Sequence, residues 1–316
     1  MIWIAVDAMG GDFAPGLVVD GALAATRRFN LGVALVGRAG AIDAELQRHG
    51  DLDRSRIRIV DAPDVVTMEE SPSTALRRKP GASIGVAADL VARGDAAAVF
   101  SAGHTGATVM AAHAAFGMLR GVDRPALAAS IPRPHVPAIL LDVGASVECR
   151  PPHLVQFAVM GGVYARVAFG IESPRVGLLS IGEEATKGNE LTREAHQLLK
   201  ASPLAFIGNV EARDVYSGKA DVIVCDGFTG NVALKVSEGL VEVLADFLTE
   251  DFRRRVDYSE YGGAPLLGVA GVTIVGHGRS SAKAVQNGVG LAHRFASAGF
   301  IGRIEREIAA AAVPHQ

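Results

Sequence analysis

The chain has 316 residues, 49% of them hydrophobic, 21% charged and 37 of them glycine, with a net charge of −3. Such a length buries a substantial core, and so balanced a charge gives no basic footprint for nucleic acid. The only cysteines are Cys149 and Cys225. They build no disulfide framework and join no metal-ligand spacing, so no metal and a reducing cytoplasm are expected.

The first apolar run, IWIAVD (2–7), is a strand candidate. Asp7 interrupts it where a secretory signal would stay apolar, and no basic start precedes it, so no signal is expected. Apolar residues at three- and four-residue spacing then predict a helix in PGLVVDGALAATRRF (15–29), and GVALVG (32–37) and RIRIVD (56–61) read as further strands. Residues 96–119 contain no Asp, Glu, Lys or Arg and are long enough to span a bilayer. The polar cluster Ser101, Gly103, His104, Thr105 and Gly106 divides them instead into a buried strand, AAAVFSAG, and a buried helix, TGATVMAAHAAFGML. PRPHVP (132–137) reads as a turn. It precedes the strand AILLDVG (138–144) and the helix HLVQFAVMGGVYARVA (153–168). RVGLLSIG (175–182), LAFIGN (204–209), DVIVCDG (221–227) and VTIVGHG (272–278) complete the strands, with a helix in NELTREAHQLLKA (189–201). Alternating strands and helices predict a doubly wound, mostly parallel α/β sheet. A single unit over 1–316 is expected, with a helical outgrowth at 232–261.

Ligands of open α/β sheets bind beyond the carboxyl ends of the strands. Seven strand ends here carry glycine and polar side chains: DAMGGD (7–12), SAGHTGA (101–107), DVGASVE (142–148), IGEEATKGNE (181–190), GNVEARD (208–214), DGFTGN (226–231) and GHGRSS (276–281). Turn chemistry explains any one of them; seven on one rim predict a site. No GxxxxGK[ST] occurs, and no GxGxxG follows the first strand. GASIG (81–85) opens a helix and follows no strand, so it is a chance match to a nucleophile elbow. SAGHTGA and DGFTGN put glycines and hydroxyls just before a helix, where unpaired N–H groups and the helix dipole favour an anion. An ordinary capped helix has the same look. Lys187 is the one lysine of these loops and a candidate partner for a phosphate or an oxyanion, while Glu183 and Glu184 read as exposed loop acids.

IAVDAMGGDFAP, SAGHTGA, LLDVGASVE, HLVQFAVMG, PRVGLLSIGEE, KGNELT, FIGNVEARD, DGFTGNVALK and YGGAPLLG follow one another from Ile4 to Gly268. In this order they resemble the bacterial acyl-carrier-protein:phosphate acyltransferases of phospholipid synthesis. The resemblance implies a sheet related to phosphotransacetylases and isocitrate or isopropylmalate dehydrogenases, a cytoplasmic homodimer, and no cofactor. It implies transfer of a fatty acyl group from carrier-protein thioester to inorganic phosphate, the acyl phosphate passing to a membrane glycerol-3-phosphate acyltransferase. Lys187 and Asn231 take the family's catalytic positions. Asp7, Gly10, Gly11, Gly103, His104, Thr105, Gly106, Gly144, Asp226, Gly227, Thr229, Gly230, His277 and Gly278 are the expected substrate and phosphate contacts.

Phosphate is already an anionic nucleophile, so such chemistry needs no serine or cysteine. A phosphotransacetylase-type enzyme using short acyl-CoA is the alternative. His104 stands where the family usually has Asn, and SVE (146–148) where it usually has Asn-Val-Asp. Only about thirty residues separate DGFTGN from YGGAPLLG, a shortened hairpin that predicts weak membrane association. Arg253, Arg254 and Arg255 are the expected docking patch for an acidic carrier protein. Leu240, Leu244, Phe247 and Leu248 form an apolar stripe expected to pair two subunits.

Overall fold

A computed structural model describes residues 1–311 except 134, 245, 246, 248 and 250–256. In chain order the strands are β1 (Ile2–Asp7), β2 (Leu31–Gly37), β3 (Ile57–Asp61), β4 (Ala98–Ser101), β5 (Ala126–Ile131) and β6 (Ala138–Leu141), then β7 (Val176–Leu179), β8 (Phe206–Val210), β9 (Val222–Val224), β10 (Ala264–Leu267) and β11 (Val272–Val275). The helices are α1 (Gly16–Arg28), α2 (Ala39–Gln47), α3 (Pro72–Arg78), α4 (Ser83–Ala92) and α5 (Thr105–Phe116), then α6 (Pro151–Phe169), α7 (Glu190–Ala201), α8 (Gly227–Leu244), α9 (Ala282–Ser297) and α10 (Phe300–Ala311).

The single unit expected over 1–316 is resolved into two compact ones, each discontinuous in sequence. Met1–Gly117 with Tyr258–Gly299 forms the first, and Met118–Asp257 with Phe300–Gln316 the second. In unit 1 the strands lie in the order β3-β2-β1-β4-β11-β10, parallel except for β10, which runs antiparallel to β11. In unit 2 the order is β5-β6-β9-β7-β8, parallel except for β5 against β6. All nine strands expected from the sequence are present, and the sheet is mostly parallel as expected. Strand β2 is buried at every position, the continuous apolar run of a strand covered on both faces. Residues 96–119 do form a strand and a helix, β4 and α5, and among the described residues no helix is long and apolar enough to cross a membrane. Met110 and His113 on α5 are exposed, so that helix is buried along one face only.

Parallel pairing decides which loops meet. Because β2, β1, β4 and β11 run the same way, DAMGGD, SAGHTGA and GHGRSS leave one edge of unit 1 from adjacent strands. In unit 2, β9 lies between β6 and β7. The end of β9, carrying Asn231, is therefore flanked by DVGASVE on one side and by the loop of Lys187 on the other.

The opposite end of β9 carries a buried ion pair that serves the fold. Asp221 accepts from Arg175 Nε at 2.9 Å, from its Nη2 at 2.9 Å, from its backbone N–H at 3.0 Å and from Arg133 Nη2 at 3.3 Å. Burial pushes the Asp221 carboxyl up, but these donors outweigh it and hold the group below its ordinary value. The pair therefore adds stability above the ordinary carboxylate pKa, and that stability is lost as acid titrates the folded group. Asp221→Ala leaves the Arg133 guanidinium, whose side chain is 6% exposed, without its carboxylate. A loss of about 3 kcal/mol is expected in chemical denaturation, with turnover at low temperature unchanged.

Candidate active site

Asp7 ends β1 and is buried. Its Oδ2 accepts from Ser101 Oγ at 2.7 Å, and Ser101 Oγ accepts the Gly103 N–H at 3.1 Å. The carboxylate thus ties DAMGGD to SAGHTGA. Burial pushes its pKa up, against hydrogen bonds from Ser83, Ser101 and the Met9 and Gly10 amides. Gly10 lies over this knot, and the Asp12 N–H donates to the Gly278 carbonyl at 2.8 Å, adding GHGRSS to the set. His277 Nδ1 accepts the Arg279 N–H at 3.2 Å within that loop.

His104 caps α5: its Nδ1 accepts the Gly106 N–H at 3.1 Å. An accepting Nδ1 puts the proton of the neutral ring on Nε2, which remains a donor. Thr108 N–H closes the first helical bond to the His104 carbonyl. Among the described residues the N–H groups of Thr105 and Ala107 meet no acceptor. The start of α5 therefore offers amides and an imidazole N–H, the donor set of an anion site.

In unit 2, Asp142 does what Asp7 does in unit 1. Its Oδ1 accepts the N–H of Leu127 at 2.8 Å, of Gly144 at 3.0 Å and of Ala145 at 3.0 Å, and its Oδ2 accepts that of Ser146 at 2.5 Å. The side chain is fully buried, and burial pushes its pKa up against these four amides. The loop so folded receives α8: the Gly227 N–H donates to the Ser146 carbonyl at 2.9 Å. At Gly230 a Cβ would lie 1.9 Å from the Asp142 carbonyl oxygen, so only glycine permits this approach. A side chain on Gly144 would stand 3.7 Å from the Asn231 amide.

The sequence puts DGFTGN just before a helix, whereas α8 begins inside that motif, at Gly227 with Asp226 in front of it. Asp226 is a cap: Oδ1 accepts the Thr229 N–H at 2.9 Å and Oδ2 its hydroxyl at 2.7 Å. The donors of Gly227, Thr229 and Gly230 are thus engaged inside the protein. Asn231 is exposed in the second turn, and among the described residues its amide has no partner.

Lys187 leaves the end of β7 on a turn closed by its N–H to the Glu184 carbonyl at 3.0 Å. The side chain is exposed, and among the described residues its ammonium has neither ion pair nor hydrogen bond. The neighbouring Glu183 is instead paired with Lys219 at 2.8 Å. Gly188 has φ of +99°, and Asn189 caps α7 by accepting the Thr192 N–H at 2.9 Å. Asp142 and Ser101 are the residues that the sequence reading misses. Each sits inside a quoted motif, but only burial separates an organising carboxylate from a ligand-binding one. Arg253, Arg254, Arg255 and Leu248 lie outside the described residues.

A family model described as fatty acid synthesis protein matches residues 2–303. The phosphate acyltransferase of Geobacter sp. (strain M21) is 48% identical, the match covering 96% of this chain and 92% of that protein. The phosphate acyltransferase of Heliobacterium modesticaldum is also 48% identical, covering 96% and 97%. The chain belongs to the phosphate acyltransferase family. Among solved structures, a phosphotransacetylase from Streptococcus pyogenes superposes with a TM-score of 0.70 at 16% identity, covering 94% of each chain. A 4-hydroxythreonine-4-phosphate dehydrogenase from Klebsiella pneumoniae gives 0.59 at 14% identity, covering 93% and 99%. These two likenesses establish the fold. In this member of the phosphate acyltransferase family neither cysteine sits where a thiolate is favoured. Burial and the charge of Asp142 push the Cys149 thiol up to about 11, and burial raises Cys225 as well.

Proposed function

We propose that the chain transfers a fatty acyl group from acyl-carrier protein to inorganic phosphate, releasing an acyl phosphate for phospholipid synthesis. The observation that carries this reading is the pair Lys187 and Asn231. Among the described residues both have unpartnered polar ends, and they leave neighbouring strand ends of unit 2, in a chain 48% identical to proteins named phosphate acyltransferase. A phosphate oxygen attacks the thioester carbonyl carbon, and the carbonyl electron pair moves onto oxygen. Lys187 and Asn231 stabilise that oxyanion, each worth about 3–4 kcal/mol by the measure of other oxyanion donors. Collapse breaks the C–S bond and expels a thiolate, whose conjugate acid has a pKa near 8.5, roughly the ordinary thiol value. Protonated cysteines support direct transfer without an acyl-enzyme. His104 and the free amides of α5 support the anion-binding role expected of SAGHTGA.

Two apolar side chains support a fatty donor over acetyl-CoA. Ile181, in the loop of Lys187, is 81% exposed, and Phe228, in the first turn of α8, is 63% exposed. Aliphatic and aromatic surface beside such polar groups suits an acyl tail. Turnover with long-chain acyl-carrier protein is expected to exceed that with acetyl-CoA at equal concentration. Faster turnover with acetyl-CoA replaces this reading by the phosphotransacetylase one.

The partners follow from surface chemistry. On α8, Val232, Val236, Leu240, Val243 and Leu244 are exposed, with Phe247 84% exposed just beyond it. Helical spacing gathers them into a stripe that supports an isologous homodimer, and a monomeric mass at micromolar concentration removes it. Arg253, Arg254 and Arg255 remain the proposed carrier-protein patch. Reversing all three to Glu is expected to raise the carrier-protein KM much more than that for a small acyl-CoA. Cytoplasmic location with weak membrane contact, and delivery of product to a membrane glycerol-3-phosphate acyltransferase, complete the proposal.

A further inference from the structure

Two buried polar side chains hold the turn of Lys187 from below. Asn209, 3% exposed at the end of β8, donates through Nδ2 to the Glu184 carbonyl at 2.9 Å. Its Oδ1 faces Nδ1 of His196, 7% exposed on α7, at 2.9 Å. The Glu184 carbonyl is the same oxygen that accepts the Lys187 N–H at 3.0 Å. A carbonyl can only accept, so the Asn209 amide is oriented, and its oxygen then requires a proton on His196 Nδ1. The ring is braced in turn by an edge contact with Phe206, centroids 5.2 Å apart.

Nothing in the proposed reaction uses either residue, and two buried polar groups are costly to keep unless every partner is in place. Their hydrogen bonds end on the turn that carries Lys187, whose ammonium has no partner of its own among the described residues. We infer that His196 and Asn209 are positioning residues that set the Lys187 ammonium through the Glu184 carbonyl. The inference rests on the role proposed for Lys187 and adds what aims it.

A double-mutant cycle tests it. Displacing a reacting group by about 1 Å costs on the order of 100-fold, so Asn209→Leu is expected to lower kcat by roughly 10- to 100-fold, with the acyl-donor KM within about twofold of wild type. In a Lys187→Ala background the same substitution is expected to cost less than about twofold, because there is no ammonium left to misplace. Equal losses in the two backgrounds, or wild-type kcat in Asn209→Leu, overturn the inference. Wild-type turnover in Lys187→Ala alone instead overturns the proposed role of Lys187. His196 gives a second arm should Asn209→Leu fail to fold. His196→Asn places an amide N–H where the ring Nδ1–H stood and is expected to retain turnover, while His196→Leu loses it. Equal rates in these two variants overturn the relay.

Discussion

Lys187→Ala and Asn231→Ala are each expected to lower turnover about 100-fold, the loss seen when one oxyanion donor is removed from a preorganised site. The two side chains are exposed, and among the described residues neither has a hydrogen-bond or ion-pair partner. Their removal breaks nothing inside the protein, so thermal unfolding should stay within a degree or two of wild type, as roughly expected for surface substitutions. Activity and stability thus separate, which distinguishes chemistry from folding. Steady-state turnover at saturating acyl donor and phosphate is the measurement. An interaction present only in the transition state lowers kcat and kcat/KM equally; one that only binds substrate raises KM with kcat unchanged. Near wild-type rates in both variants would remove these residues from the mechanism.

Gly230→Ala should do comparable damage by a different route. The added methyl would lie 1.9 Å from the Asp142 carbonyl oxygen and 2.9 Å from Cys225 Sγ. The first contact is with backbone, so no rotamer change relieves it. The start of α8 must retreat, and Asn231 is the next residue along. Overpacking of this kind costs about 1–3 kcal/mol or more, and a donor moved by about 1 Å loses on the order of 100-fold in rate. Gly85→Ala is the control for a glycine replaced within a helix. Nothing lies within 4 Å of its added methyl on α4, so turnover should be unchanged and stability should rise by about 0.5–1 kcal/mol. Wild-type turnover in Gly230→Ala would show that the contact between α8 and the Asp142 loop does not set the position of Asn231.

The strands that the sequence hides are the two antiparallel ones. ALAASI (β5) is alanine-rich with one β-branched residue, and APLL (β10) holds a proline between glycine-rich flanks. Neither has the Val/Ile density that marks a strand by itself. Each is extended because it pairs with a stronger neighbour, β6 or β11. Seven of the other nine are legible because a strand buried on both faces must be apolar throughout, a constraint written into consecutive residues; β3 and β8 end the strand order and carry exposed positions, and their isoleucines and valines mark them instead.

The same division holds at the candidate site. Runs such as LGVALVG and the glycine-rich loops after them were enough to determine an α/β sheet with polar strand ends, and the order of nine motifs determined the family. The tertiary structure decided which of those polar residues face solvent and which face inward. Asp7 looks like a ligand carboxylate in sequence and Asp142 goes unmarked, yet each is spent on distant partners: Ser101 for the one, the Leu127 amide for the other. Asp226 turned out to cap α8, and His196 and Asn209 to carry the turn of Lys187. A buried hydrogen bond is fixed by groups that are neighbours in space and remote along the chain, so no local pattern encodes it.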